Sequence, residues 1–232
     1  TEPGLQKAVS ICKYLGIDGL VAIGGDGTYR GLLDLSRHGV AVIGIPGTID
    51  NDIACTHYTL GFDTACNTAI EAVDKLRDTM QSHERCSVVE VMGHTSGNLA
   101  MYVGIACGAA AMLVPEVKVD LETELFEKMR LGRIRGRNHH IIIVAEGYGN
   151  ATDVAAQIRD ATGIDTRVTI LGHVQRGGSP SARDRYMATM MGCRAVDLLL
   201  ENRVNRIISL IDDDIVDLGI EDALAAQQEF ST

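Results

Sequence analysis

Apolar residues recur at Leu5, Val9, Cys12 and Leu15, and this helical spacing predicts a helix over residues 5–16, ended by Gly16. The unbroken apolar run Gly19–Gly24 then meets a glycine cluster and reads as a buried parallel strand. A helix from about 27 to 37 and a second strand, Val40–Ile45, follow, and Pro46-Gly47 is expected to break that strand. Residues 48–61 read as loop. Phe62, Ala65, Ala69, Val73, Leu76 and Met80 share one face of a long helix predicted over 62–81. Strands are predicted at 86–92, 110–114, 140–145 and 166–171, with helices at 96–107, 120–135 and 151–162 between them. A last long helix, 180–201, leads to a hairpin over 205–218 that turns at Asp212-Asp213, and a short helix, 220–229, follows.

This alternation of strand and helix argues for an α/β fold with parallel sheets and helices on both faces. No internal repeat, low-complexity tract or linker interrupts it. Composition changes the picture little. With 46% hydrophobic and 22% charged residues the chain is ordinary globular protein, not a disordered segment. It has no Trp and three Phe, so the core must be built from Val, Ile, Leu, Ala and Met. A net charge of −10 argues against a nucleic-acid surface. The six cysteines, at 12, 55, 66, 86, 107 and 193, form no C-x-x-C pair. They read as free, mostly buried thiols of a cytoplasmic protein. No apolar run is long enough to span a membrane and no signal peptide opens the chain, so no membrane partner is expected.

Ligands of open α/β sheets bind at the carboxyl ends of strands, and there the sequence is rich in glycine. Gly24-Gly25-Asp26-Gly27-Thr28 follows the first strand and opens a helix, whose N-terminal N–H groups suit a phosphate. Asp26 would repel that phosphate unless Mg²⁺ bridges the two, which points to a nucleoside triphosphate. A tight turn that merely needs glycine explains the loop without a ligand. After the second strand, Asp50 and Asp52 in Pro46-Gly47-Thr48-Ile49-Asp50-Asn51-Asp52 can split the roles of proton acceptor and orienting group. A solvated Asx turn is the plainer reading of that tripeptide. Met92-Gly93-His94-Thr95-Ser96-Gly97, Glu146-Gly147 and Gly172-His173-Val174-Gln175-Arg176-Gly177-Gly178-Ser179-Pro180 follow the later strands. Arg176 can neutralise a phosphate and His173 can donate to one.

These segments, in this order and along essentially the whole chain, resemble the bacterial-type 6-phosphofructokinases. The segments P-G-T-I-D-N-D and G-H-V-Q-R-G-G-S-P carry the specificity; G-G-D-G-T also occurs in NAD and lipid kinases. The resemblance implies two parallel-sheet, Rossmann-like lobes. Residues 1–61 and 175–225 would form a nucleotide-binding lobe, and 62–174 with 226–232 a sugar-phosphate and effector lobe. It implies γ-phosphoryl transfer from Mg-ATP to the 1-hydroxyl of fructose 6-phosphate. Asp50 would be the base, with Thr48 and Asp52 lining the transfer site. Asp26 would hold Mg²⁺, and Gly25, Gly27 and Thr28 would cradle the nucleotide phosphates. Met92, Gly93, His94, Glu146, His173 and Arg176 would hold the sugar phosphate. Arg85 and Arg167 occupy the positions of two arginines that the family lends to a neighbouring subunit, which implies a homodimer or homotetramer. Arg77, Gly108, Arg135 and Arg137 match an allosteric effector site.

The chain also departs from the family. The resemblance implies that roughly the opening quarter of the family's chain is absent, leaving an exposed sheet edge and apolar surface and putting activity in question. His94 stands where the family usually has arginine, and Ala110 where a glutamate often contacts the effector's metal. Pyrophosphate-dependent relatives typically carry Asp in place of Gly27 and Lys in place of Gly47, so the two glycines favour ATP. A pyrophosphate-dependent enzyme, a non-catalytic sugar-phosphate-binding relative and an NAD or lipid kinase are the alternatives.

Overall fold

The computed structural model describes residues 2–80, 85–136 and 139–227. In chain order its first elements are α1 (Glu2–Tyr14), β1 (Leu20–Gly24), α2 (Asp26–Arg37), β2 (Val42–Thr48), β3 (Leu60–Gly61), α3 (Phe62–Met80) and β4 (Arg85–Val91). Then come α4 (Asn98–Ala106), β5 (Ala111–Leu113), a π-helical turn (Leu121–Phe126), α5 (Glu127–Ile134), β6 (His140–Ala145), α6 (Ala151–Thr162) and β7 (Asp165–Ile170). A 3₁₀ turn (Gly172–Arg176), α7 (Ala182–Leu200), β8 (Arg206–Ile211), β9 (Asp214–Gly219) and α8 (Ile220–Ala225) follow. The chain divides into two compact units: residues 1–48, 53–61 and 182–232, and residues 49–52 and 62–181. Residues 228–232, part of the predicted last helix and of the segment assigned to the sugar-phosphate lobe, lie outside the described residues.

The first unit holds a five-stranded sheet in the order β1-β2-β8-β9, with β3 added to the end of β2. β1, β2 and β8 are parallel; β8 and β9 form the predicted antiparallel hairpin. Asp212 and Asp213 take φ of 50° and 67°, the left-handed pair that a two-residue hairpin turn requires. Val9, Tyr29, Leu32, Val42, Ile207 and Ile220 pack one face of this sheet. Two expectations fail here. Pro46 does not break β2, which runs to Thr48 with Pro46 opposite Gly24. The β8 ladder reaches only to Gly44, so the missing N–H of Pro46 lies beyond it. β1 is parallel but not buried: it lies at the sheet edge and leaves Val21 37% and Ile23 64% exposed.

The second unit holds a wholly parallel four-stranded sheet, β5-β6-β4-β7. Its inner strand β6 is a near-continuous apolar run, buried throughout, as a strand covered on both faces requires. Cys86, Val88, Ile142 and Val144 pack against Leu125, Met129, Val154 and Ile158, on α5, α6 and the turn before them. Phe62, Ala65, Ala69 and Val73, on the predicted face of α3, are buried, and Leu76 is half-buried; the side chain of Met80 lies outside the described ones. The helix expected over 120–135 opens with a π turn, where Asp120 accepts from the Glu122 N–H. Burial pushes the Cys86 thiol up to about 12, which removes it as a nucleophile near neutral pH. Four of the six thiols are buried, Cys12 is half-buried and Cys193 exposed.

One ion network ties the edge hairpin of the first unit. The Asp217 side chain, on β9, is 6% exposed and receives Arg194 and Arg203 at 2.8 Å each, with Arg206 also bonded to it. Burial opposes its ionisation, but the hydrogen bonds from Arg194 and Arg206 and the nearness of Arg203 outweigh it and hold the carboxyl below its usual range. A depressed folded-state pKa makes the contribution complete above the unfolded value of about 3.9, and loses it as pH falls through the folded one. Asp217→Asn should destabilise the fold by about 1–3 kcal/mol at pH 7. The penalty should shrink steadily below pH 4. Urea denaturation at both pH values checks this; an equal penalty in acid would contradict it.

Candidate active site

In the first unit, β1 ends at Gly24 and α2 begins at Asp26, with Gly25 as an N-cap that makes no side-chain cap. The first-turn N–H groups of α2 are thus left for a ligand. A Cβ on Gly27 would meet nothing within 4 Å, so the loop is open in front of the helix end. Gly24 has a different reason: a Cβ there would strike the Thr28 side chain. Asp26 is exposed at this helix end. Mg²⁺ is held by one or two carboxylates together with substrate phosphates and water. A single exposed carboxylate beside uncapped N–H groups fits that ion. Thr48 is the last residue of β2, not part of a loop, and its carbonyl accepts from the Thr59 hydroxyl at 2.7 Å.

The second unit contains the D-N-D segment, with Asn51 left-handed at φ 48°. Asn98, the first residue of α4, fixes that turn: its side-chain amide donates to the Asn51 carbonyl at 2.8 Å. The main chain between Asp50 and Asp52 is therefore tied to α4. Neither the composition nor the motif spacing singled out Asn98.

Strand register gathers the remaining loops of this unit. Val91 of β4 lies opposite Ala145 of β6, and Glu90 opposite Ile170 of β7. The ladder runs one step further, with the Glu146 N–H on the Val91 carbonyl at 2.9 Å and the Leu171 N–H on the Glu90 carbonyl at 3.1 Å. Met92, Gly93 and His94, then Glu146, then the turn bearing His173 and Arg176, all leave one edge of one sheet. Gly93 has φ 139°, and a Cβ there would run into the Ser96 carbonyl, so only glycine fits. His94 is left-handed, φ 54°, and its N–H donates to the Glu146 carboxylate at 2.6 Å. Glu146 thus holds the His94 backbone with one oxygen. The 172–176 stretch is a 3₁₀ turn rather than open loop; it exposes His173 and Arg176 while burying Gln175.

Arg85 and Arg167 are not brought to this edge. Arg85 opens β4 and Arg167 is the third of the six residues of β7; Asp165 accepts from Arg85 at 2.9 Å and from Arg167 at 3.4 Å. Six residues of β4 separate Arg85 from the carboxyl end, about 20 Å at strand rise. Of the effector set, Arg77 donates to the Cys107 carbonyl and lines a cavity of about 430 Å³ with Gly108, His139 and His140. Arg135 lines a second cavity, of about 380 Å³, with Lys128; the two share Ala110 and His140. Arg137 lies outside the described residues.

The sequence matches the phosphofructokinase family over residues 1–199. It is 52% identical over 230 residues to the ATP-dependent 6-phosphofructokinase of Clostridium tetani, covering 99% of this chain and 72% of that protein. It is 50% identical to the ATP-dependent 6-phosphofructokinase of Brevibacillus brevis, with the same coverage of both chains. Among solved structures, phosphofructokinase from Saccharomyces cerevisiae superposes with a TM-score of 0.89 at 34% identity, covering 97% of this chain and 35% of that one. A pyrophosphate-dependent phosphofructokinase from Marinobacter aquaeolei superposes at 0.83 with 20% identity, covering 98% of this chain and 65% of that one, a likeness of fold alone. With uncapped helix, D-N-D turn and glycine-shaped strand ends in place, these matches make the chain a member of the phosphofructokinase family.

Proposed function

We propose that this chain transfers the γ-phosphoryl group of ATP to the 1-hydroxyl of fructose 6-phosphate, giving fructose 1,6-bisphosphate. The observation that carries the reading is the convergence of Met92, Gly93, His94, Glu146, His173 and Arg176 on one edge of the parallel sheet. Arg176 and His173, both exposed there, take the sugar's phosphate by charge-assisted hydrogen bonds. The first unit binds the nucleotide, its phosphates lying at the N-terminus of α2 against Gly25, Gly27 and Thr28. The second unit binds the sugar phosphate.

The chemistry needs alignment and charge neutralisation more than covalent help. Asp50 takes the proton of the 1-hydroxyl; the oxygen bonds to the γ-phosphorus, the bond to the bridging β–γ oxygen breaks, and ADP leaves. Thr48 and Asp52 line the reacting groups. Asp26, with the nucleotide phosphates, would hold Mg²⁺, which would supply positive charge against the transferred group. His94 presents a smaller, weaker donor than the family's usual arginine.

Arg85, at the start of β4, and Arg167, in the middle of β7, serve the site of a second copy, so the working form is a homodimer or homotetramer. The cavities at Arg77, Gly108 and Arg135 take an anionic effector. The enzyme works in the cytoplasm; among the described residues no helix is long and apolar enough to cross a membrane.

Phosphorylation of fructose 6-phosphate with Mg-ATP, and none with Mg-pyrophosphate, is the expected result of a coupled assay. Activity with pyrophosphate alone would overturn the donor assignment, and activity with neither donor the reaction. Asp50→Ala should lower kcat by about 10²–10⁴-fold with little change in KM for the sugar, as removal of a general base does. A change dominated by KM would contradict its role.

A further inference from the structure

Gln175 is 1% exposed and lies between His173 and Arg176, as the fourth of the turn's five residues. A glutamine amide is seldom enclosed unless both its ends are bonded. Here both are. Its Oε1 accepts from the Met92 main-chain N–H at 3.2 Å, and its Nε2 donates to the Gly172 carbonyl at 3.0 Å. One partner is the first residue beyond β4; the other opens the turn beyond β7. The β4–β7 ladder ends at Glu90 and Ile170, and the last main-chain bond between the two chains is from Leu171 to Glu90. Past that point, among the described residues, the Gln175 amide is the bond that joins the two loops.

We propose that Gln175 is a positioning residue for the sugar phosphate: it locks the Met92–His94 loop to the His173–Arg176 turn. It touches no reacting atom. Its donor and acceptor ends meet a carbonyl and an N–H respectively, so it fixes the spacing of the loops and the sense of the turn together. His173, Val174 and Arg176 of that turn are exposed to solvent while Gln175 is buried. A turn anchored between His173 and Arg176 presents these two donors at a set separation, which is what recognition of one phosphate demands. Without the anchor the donors remain but sample a wider range, and the sugar must order them on binding.

The inference rests on the functional reading above, and the test separates the two. Fructose 6-phosphate is titrated into the whole chain and into Gln175→Met by calorimetry, with ATP titrated in parallel. Gln175→Met keeps length and fills the space without either hydrogen bond. Its Kd for fructose 6-phosphate should rise about 10-fold or more, the loss of two buried hydrogen bonds, while its Kd for ATP stays within about twofold. In turnover the rise should appear in KM for the sugar and leave kcat nearly unchanged. If Gln175→Met does not fold, Gln175→Glu keeps the shape and the acceptor toward Met92 but turns the donor toward Gly172 into an acceptor, and the same selective rise is expected. A purely structural role would lower the melting temperature and leave the sugar's Kd within twofold of the parent chain, which would overturn the proposal. A parent chain that binds ATP but ignores fructose 6-phosphate would overturn the functional reading, and with it the role of Gln175.

Discussion

The register of β4 between β6 and β7 is the constraint on which the second unit depends. Parallel strands exchange evenly spaced hydrogen bonds, so one pairing offset decides where every strand ends. With Val91 opposite Ala145 and Glu90 opposite Ile170, three chains leave the sheet within one residue of the same level. A slip of one residue would turn Val88 and Val89 each to the wrong face. A slip would also carry Glu90, whose carboxylate accepts from the Ala151 N–H, onto the face that buries Val89 and Val91, so the packing of that face defends the register. The site is in this sense a by-product of a core that tolerates a single alignment.

Burial alone does not shape what leaves the sheet. There the work passes to a few polar contacts: the Glu146 carboxylate on the His94 N–H, the Asn98 amide on the Asn51 carbonyl, and Gln175 between Met92 and Gly172. Each satisfies a main-chain group beyond the last ladder bond, where an unpaired one is costly. The loop after β1 is built in the opposite way. Gly25 offers no side chain, and the end of α2 is left uncapped. A helix end that forgoes its cap gives up about 1 kcal/mol, and a bound phosphate restores the missing partners.

Much of the fold is legible in the chain because periodicity and strand-end glycines agree. The α3 face, the β6 run His140–Ala145 and the Asp212-Asp213 turn follow directly from spacing and turn chemistry. Pro46 misleads because its effect depends on where the neighbouring ladder stops, a tertiary fact. β1 misleads because an apolar run reads the same in a central and an edge strand. In the site, the cations and carboxylates stand out by residue type and motif. Asn98 and Gln175 do not: amides are common, and their importance lies in partners 47 and 83 residues away. Arg85 and Arg167 match two arginines that the family lends to a neighbouring subunit. Arg85 opens β4 and Arg167 lies in the middle of β7, both short of the carboxyl edge, and this placement supports a site completed by a second copy.

The central claim is that the carboxyl edge of the β4–β6–β7 sheet is a binding site for a phosphorylated sugar. Thermal unfolding of the chain with fructose 6-phosphate, and with fructose as the unphosphorylated control, tests it most directly. The midpoint should rise by about 5–10 °C with fructose 6-phosphate at a hundredfold excess over Kd, with no rise for fructose. A midpoint unmoved by fructose 6-phosphate, or moved equally by both sugars, would contradict it.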